Sequence, residues 1–118
     1  MVQARRPVRR EKEKSRKKLT VEEVQNCVCK KYAVTISQIL SPERTQSIVT
    51  PRQLAMYISR KFTTRSLPEI AKNFEKSHAT IIHGVKNISK RLDVEPELRA
   101  SLDEILSDLG CSIKDMVG

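Results

Sequence analysis

Apolar residues recur every three or four positions along most of the chain, and most of these recurrences begin beside a residue suited to start a helix. Thr20 and Glu23 have capping-box spacing, and Val21, Val24, Cys27 and Val28 follow at helical intervals, which predicts a helix over about 20–31. Ile36, Ile39 and Leu40 cluster before Pro42 and read as one short helical turn. Thr50-Pro51-Arg52-Gln53 offers a capping hydroxyl, a proline suited to the first helical position and a glutamine able to reach back, so the pattern opens the next helix there. Its stripe of Leu54, Ala55, Ile58 and Phe62 puts Arg52 and Arg60 near the solvent side. Ser66-Leu67-Pro68-Glu69 repeats the capping logic ahead of a short helix that carries Ile70 and Phe74. Ser77 is a further cap, and Ile81, Val85, Ile88 and Leu92 mark one face of a helix over about 78–92. A final helix begins near Pro96, follows Leu98, Leu102, Ile105, Leu106 and Leu109, and stops at Gly110. No stretch alternates like a strand and no internal repeat is visible, so the expected fold is all-α.

A length of 118 residues suits one domain and a tail, which excludes enzymes with separate cofactor and substrate domains. The net charge of +9 favours a polyanionic partner, with nucleic acid ahead of an anionic membrane surface. Two Phe, two Tyr and no Trp are too few for the stacking platforms of single-strand binders, which leaves duplex DNA. Charge is uneven along the chain. Residues 1–18 carry nine Lys/Arg and two Glu and show no helical apolar period; they read as a basic flexible tail or linker, with residues 19–118 as the helical domain. The stretch 44–91 holds ten basic residues against Glu69 and Glu75, whereas residues 92–118 sum to −5. Binding therefore maps to the middle of the chain. Three cysteines and no signal-peptide pattern point to a reducing cytoplasm, and no apolar run is long enough to span a membrane. Cys27 and Cys29 lack a matching His or Cys cluster and read as packing residues, so no metal site is expected. Two histidines, scattered carboxylates and no Gly-rich loop offer no catalytic group, and the chain reads as a non-enzyme.

A short helix at 67–74, a tight turn at 75–77 and a longer helix from 78 make a helix-turn-helix candidate over about 67–92. Its second helix would meet a major groove by its N-terminal end, where Ser77, His78 and Thr80 cluster with Lys72, Lys76 and Lys86 nearby. Backbone N–H groups and the positive helix end add attraction for phosphate. Two other readings stay open at this level. One is a stand-alone dimeric transcriptional regulator; the other is an interaction protein whose acidic last helix docks a basic partner.

Three blocks carry a resemblance: Ser47-Ile-Val-Thr-Pro-Arg-Gln-Leu-Ala-Met-Tyr-Ile-Ser-Arg60, Ser66-Leu-Pro-Glu-Ile-Ala71 and Ser77-His-Ala-Thr-Ile-Ile-His83. In order and separation they resemble the C-terminal DNA-binding domain of the bacterial replication initiator DnaA, over residues 19 to about 109. The resemblance implies a Trp-repressor-like helical domain, monomeric in isolation, that binds the duplex DnaA box at a replication origin. It implies that Arg44 reaches into the minor groove, a sensible role for a guanidinium drawn to a narrow A·T groove. By the same resemblance Arg52, Gln53 and Arg60 hold phosphates, and Leu67 and Pro68 start the helix whose backbone approaches phosphate. Ser77, His78, Ala79 and Thr80 stand in the base-reading segment. His83, one turn later, reads as a packed or half-buried helix residue.

The departures have chemical content. Ser77 stands where the family usually has Asp, and Ala79 replaces a Thr. An Asp accepts from cytosine N4; Ser donates or accepts, and Ala keeps only a methyl that could touch thymine, so the preferred box is expected to be altered. Ala71 replaces a Gly, and the turn before His78 has three residues, one fewer than usual and without glycine. No G-x-x-x-x-G-K-[ST] run exists, so no cofactor is expected in this chain; ATP would belong to the ATPase domain of a full-length initiator. A fragment of such an initiator is favoured over a small independent protein.

Overall fold

The computed structural model describes residues 19–111. The expected tail at 1–18 lies outside the described residues, as do residues 112–118. Among the described residues there are six helices and no strand. Helix α1 spans Val21–Tyr32, α2 Ile36–Leu40, α3 Gln46–Phe62, α4 Leu67–Phe74, α5 His78–Val94 and α6 Pro96–Leu109.

Local chemistry sets most of the boundaries. The Thr20 hydroxyl accepts from the Glu23 N–H at 3.1 Å while the Glu23 carboxylate accepts from the Thr20 N–H at 3.0 Å. The same reciprocal box recurs at Thr35/Gln38 and at Ser66/Glu69, satisfying N–H groups that a helix start otherwise leaves orphaned. At the far end Gly110 takes a left-handed φ of 79°, and the Cys111 N–H returns to the Leu106 carbonyl at 2.8 Å. That closes α6 as a glycine-terminated helix should.

One start differs from expectation. α3 begins at Gln46, after Thr45, so Pro51 lies inside the helix. Ile48 is buried and extends the apolar pattern one turn upstream, and the Thr45 carbonyl accepts from the N–H groups of Ile48 and Val49. Pro51 removes the donor that would have met the Ser47 carbonyl, but Ser47 is exposed, where water can meet that carbonyl. Thr50 is therefore no cap. Its hydroxyl accepts from Arg91 Nη1 at 2.8 Å, tying α3 to the far end of α5.

α3 is the axle of the domain. From Pro51 to Ser59 every residue but Gln53 is buried, because α1, α2, α4 and α5 all pack on it. The most extensive pairing is with α5, and Gly84 permits it: a Cβ there would stand 2.6 Å from Met56 Sδ and 3.4 Å from Gln53 Cγ. A glycine costs about 1 kcal/mol against alanine inside a helix, and here the close crossing offsets that cost. Ile39, Leu54, Ile58, Ile70, Phe74, Ile81 and Ile88 complete a core fully shielded from water. α6 closes the other side against α1, with a Lys31–Glu104 ion pair between them and the Cys27 thiol directed at the Ile105 carbonyl. Cys29 is buried and Cys27 half-buried, as packing residues should be, and burial raises both thiol pKa values.

Two outcomes test this packing. Gly84→Leu should lower stability by about 1–3 kcal/mol in urea unfolding through overpacking, and Met56→Ala in the same chain should recover part of the loss. The second concerns the α5–α6 joint, where Arg91 Nε and Nη2 donate to the two Glu95 carboxylate oxygens at 2.8 and 3.1 Å. That bonding holds the Glu95 carboxyl below its ordinary value of 4.5. A depressed carboxylate adds stability that is complete above the ordinary range and vanishes as pH falls through the depressed value. Glu95→Gln should thus melt below the wild-type temperature near neutral pH and converge with it in acid.

Candidate nucleic-acid interface

α4 and α5 form the helix-turn-helix, joined by Glu75, Lys76 and Ser77. α4 turns Ile70, Ala71 and Phe74 inward, leaving Leu67 half-buried and Pro68 exposed at its start. Glu75 adopts a left-handed φ of 56°, a conformation that glycine takes without strain and other residues at a cost of about 1 kcal/mol or more. The short turn closes without glycine because the Lys76 N–H bonds the Ala71 carbonyl at 3.0 Å and the Glu75 N–H bonds that of Lys72 at 3.1 Å. Ser77 then caps α5, its hydroxyl accepting from the Thr80 N–H at 3.1 Å and lying 2.9 Å from the Thr80 hydroxyl. Ser77, His78, Ala79 and Thr80 are all exposed at the positive end of a 17-residue helix.

Beside this tip runs the loop between α2 and α3, which carries Arg44. Two cations fix it. Arg52 Nε donates to the Ile39 carbonyl at 2.8 Å, and its Nη2 donates to the carbonyls of Ser41 at 2.8 Å and Gln38 at 3.4 Å. Lys76 Nζ donates to the carbonyls of Leu40 at 2.8 Å and Ser41 at 2.9 Å. These carbonyls cluster at the C-terminal end of α2, where intrahelical donors run out and positive charge is favoured. Desolvation lowers the pKa of both groups; the Arg52 charge lowers that of Lys76 further. Arg44, by contrast, is exposed and makes no ion pair or hydrogen bond among the described residues.

The expected site residues divide among four places. Arg44, Arg52, Gln53 and Thr80 come together around one open groove of about 530 Å³, with Lys76, Met56 and Gly84 also on its wall. Ser77, His78 and Ala79 form the exposed tip, and Leu67 and Pro68 the start of α4. Arg60 is exposed but lines a different cleft, opposite Lys86 and Lys90. The solvent-side placement of Arg52 is corrected: it is only 7% exposed. α3 is enclosed on several sides, so an apolar stripe of four residues understates its buried surface, and the guanidinium fork satisfies neighbouring carbonyls. The packed reading of His83 is also corrected; it is exposed, since the inward face of α5 runs through Ile81, Gly84, Ile88 and Leu92.

A capped helix pair around a three-residue turn, with the second helix presented end-on beside an anchored arginine loop, defines a helix-turn-helix DNA-binding domain. The family described as "Bacterial dnaA protein helix-turn-helix" matches residues 21–88, and the chain belongs to it. Its relatives include the chromosomal replication initiator protein DnaA of Roseobacter denitrificans, 43% identical over 80% of this chain and 20% of that protein. The DnaA of a Geobacter species is 41% identical over 77% of this chain and 20% of its own length, and that of Ehrlichia ruminantium 41% over 74% and 19%. The chain thus spans about a fifth of the length of these curated relatives.

Sequence reasoning missed the clamp role of Lys76, the crossing at Gly84 and the Thr50–Arg91–Glu95 tie. Only Gly84 left a local trace, as a lone glycine within a helical pattern. The clamp makes its own prediction. Arg52→Met should strip the Ile39 carbonyl of its side-chain donor and leave Lys76 alone on that of Ser41, destabilise the fold by about 1–3 kcal/mol, and speed amide hydrogen exchange at residues 41–45 more than in α6. Arg52→Lys should restore little, because an ammonium lacks the planar fork. Equal exchange changes across the domain would mean that Arg52 supports the whole core and not the loop.

Proposed function

We propose that this domain binds duplex DNA sequence-specifically, recognising a DnaA box at a replication origin as the DNA-binding part of a bacterial replication initiator. The observation that carries this reading is the pairing of an exposed α5 tip with a clamped loop that holds Arg44 on the same groove as Thr80. A helix pair presented this way suits major-groove entry, and an arginine held to one side suits an adjacent minor groove. Family membership and initiator relatives favour this over a stand-alone regulator.

In this proposal His78, Ala79 and Thr80 face base edges. Ser77 acts chiefly as the cap, with one hydroxyl hydrogen bond left for DNA. Gln53 and Arg60 meet phosphates, the start of α4 at Leu67 and Pro68 approaches the backbone, and Arg52 positions the loop from behind. The domain acts as a monomer in the cytoplasm on one asymmetric site. It takes up no cofactor; ATP is handled by the ATPase domain of the full-length initiator. Residues 1–18 serve as a basic linker.

Selection of random duplexes by the full chain tests the reading directly, and a single asymmetric consensus is expected. On that consensus Arg44→Ala and His78→Ala should each lose about 1–3 kcal/mol, with much smaller losses on random duplex. Equal losses on both would reject base readout. Arg60→Ala should weaken binding to every duplex and reduce the salt slope by about one unit, as expected for one lost phosphate contact.

A further inference from the structure

We propose that Ile82 is a specificity-determining residue that reads the 5-methyl group of a thymine, an inference that rests on the DNA-binding reading above. Ile82 is 52% exposed, and among the described residues only Val94, at the distant end of α5, is a comparably exposed large apolar side chain. Its place on α5 gives the exposure meaning. Ile82 follows His78 by four residues and Ala79 by three, so it continues the face those two present at the tip. With a rise of about 1.5 Å per residue it lies about 6 Å further along the helix. A major groove is about 8.5 Å deep, so a helix entering by its end carries this position in as well.

The surroundings narrow the ligand. Ile82 borders a cleft of about 360 Å³ whose other walls include Arg60, Lys61, Lys86 and Lys90, with half-buried Val85 as its apolar neighbour. A lone isoleucine ringed by cations is far smaller than the several hundred Å² of an apolar protein-docking patch. The cations instead match a polyanion. Within the major groove of duplex DNA the apolar group on offer is the thymine methyl, of the size one isoleucine branch can cover. Such a contact would add discrimination where Ala79, with its short methyl, leaves the tip with less reach than threonine.

The test uses the full chain and the duplex it selects, with each thymine replaced singly by deoxyuridine, which removes only the methyl group. Wild type should lose about fivefold in affinity at one thymine. Ile82→Ala, a change that favours helix at an exposed position, should lose about as much on the unmodified duplex and nothing further when that methyl is removed. If no single thymine shows this coupling, or if Ile82→Ala binds the selected duplex as wild type does, the proposal is overturned while sequence-specific binding stands. If the chain selects no duplex over random sequence, the DNA-binding reading falls and this inference with it.

Discussion

The arrangement of the site depends on one electrostatic constraint, the convergence of Arg52 and Lys76 on the carbonyl end of α2. A five-residue helix leaves most of its acceptors without intrahelical donors, and here they are met by side chains from α3 and from the helix-turn-helix turn. Three segments distant in sequence are thereby fixed to one another. The Ser41 carbonyl accepts from both cations at once, so their mutual repulsion is held against a shared acceptor. The loop with Arg44 inherits its position from that arrangement. Its own polar contacts, Ser41 Oγ to the Gln38 carbonyl and Thr45 Oγ1 to the Glu43 carboxylate, only refine it.

A second constraint is steric. α3 must touch α5 closely for the groove between the Arg44 loop and the α5 tip to have its width, and Gly84 removes the one side-chain atom that would hold the helices apart. The Thr50–Arg91–Glu95 chain ties the opposite end of the same helix pair. α5 is therefore fixed near its middle by contact and near its C-terminus by hydrogen bonds, which leaves its N-terminal turn projecting.

The fold was largely legible from apolar spacing and caps. α1, α4, α5 and α6 begin and end within about two residues of expectation: Thr20, Ser66 and Ser77 cap the first three through neighbours three positions away, and Pro96 and Gly110 bound α6. The start of α3 was not, since Thr50-Pro51 has the form of a helix entry while Ile48 and the Arg91 contact decide the matter through packing. The outward placement of Arg44, His78, Ala79 and Thr80 was legible in the sequence, and the inward turn of Arg52 was not. Arg52 and Lys76 bind backbone carbonyls, which every residue carries and which leave no mark in a sequence. The same limit applies to charge. Of the ten basic residues in 44–91, Arg52 and Lys76 face carbonyls, Arg65 lies 3.9 Å from Glu69, and Arg91 is paired with Glu95. The positive face offered outward is smaller than the count suggests.

The left-handed Glu75 has a consequence for how separable the two-helix motif is. A bend that lacks glycine and leans on a tether to Leu40 and Ser41 is shaped from outside itself. Excised and grafted onto another scaffold, the segment from Leu67 to Val94 would not keep its angle unless α2 and its trailing loop travelled with it. The portable unit is the larger assembly.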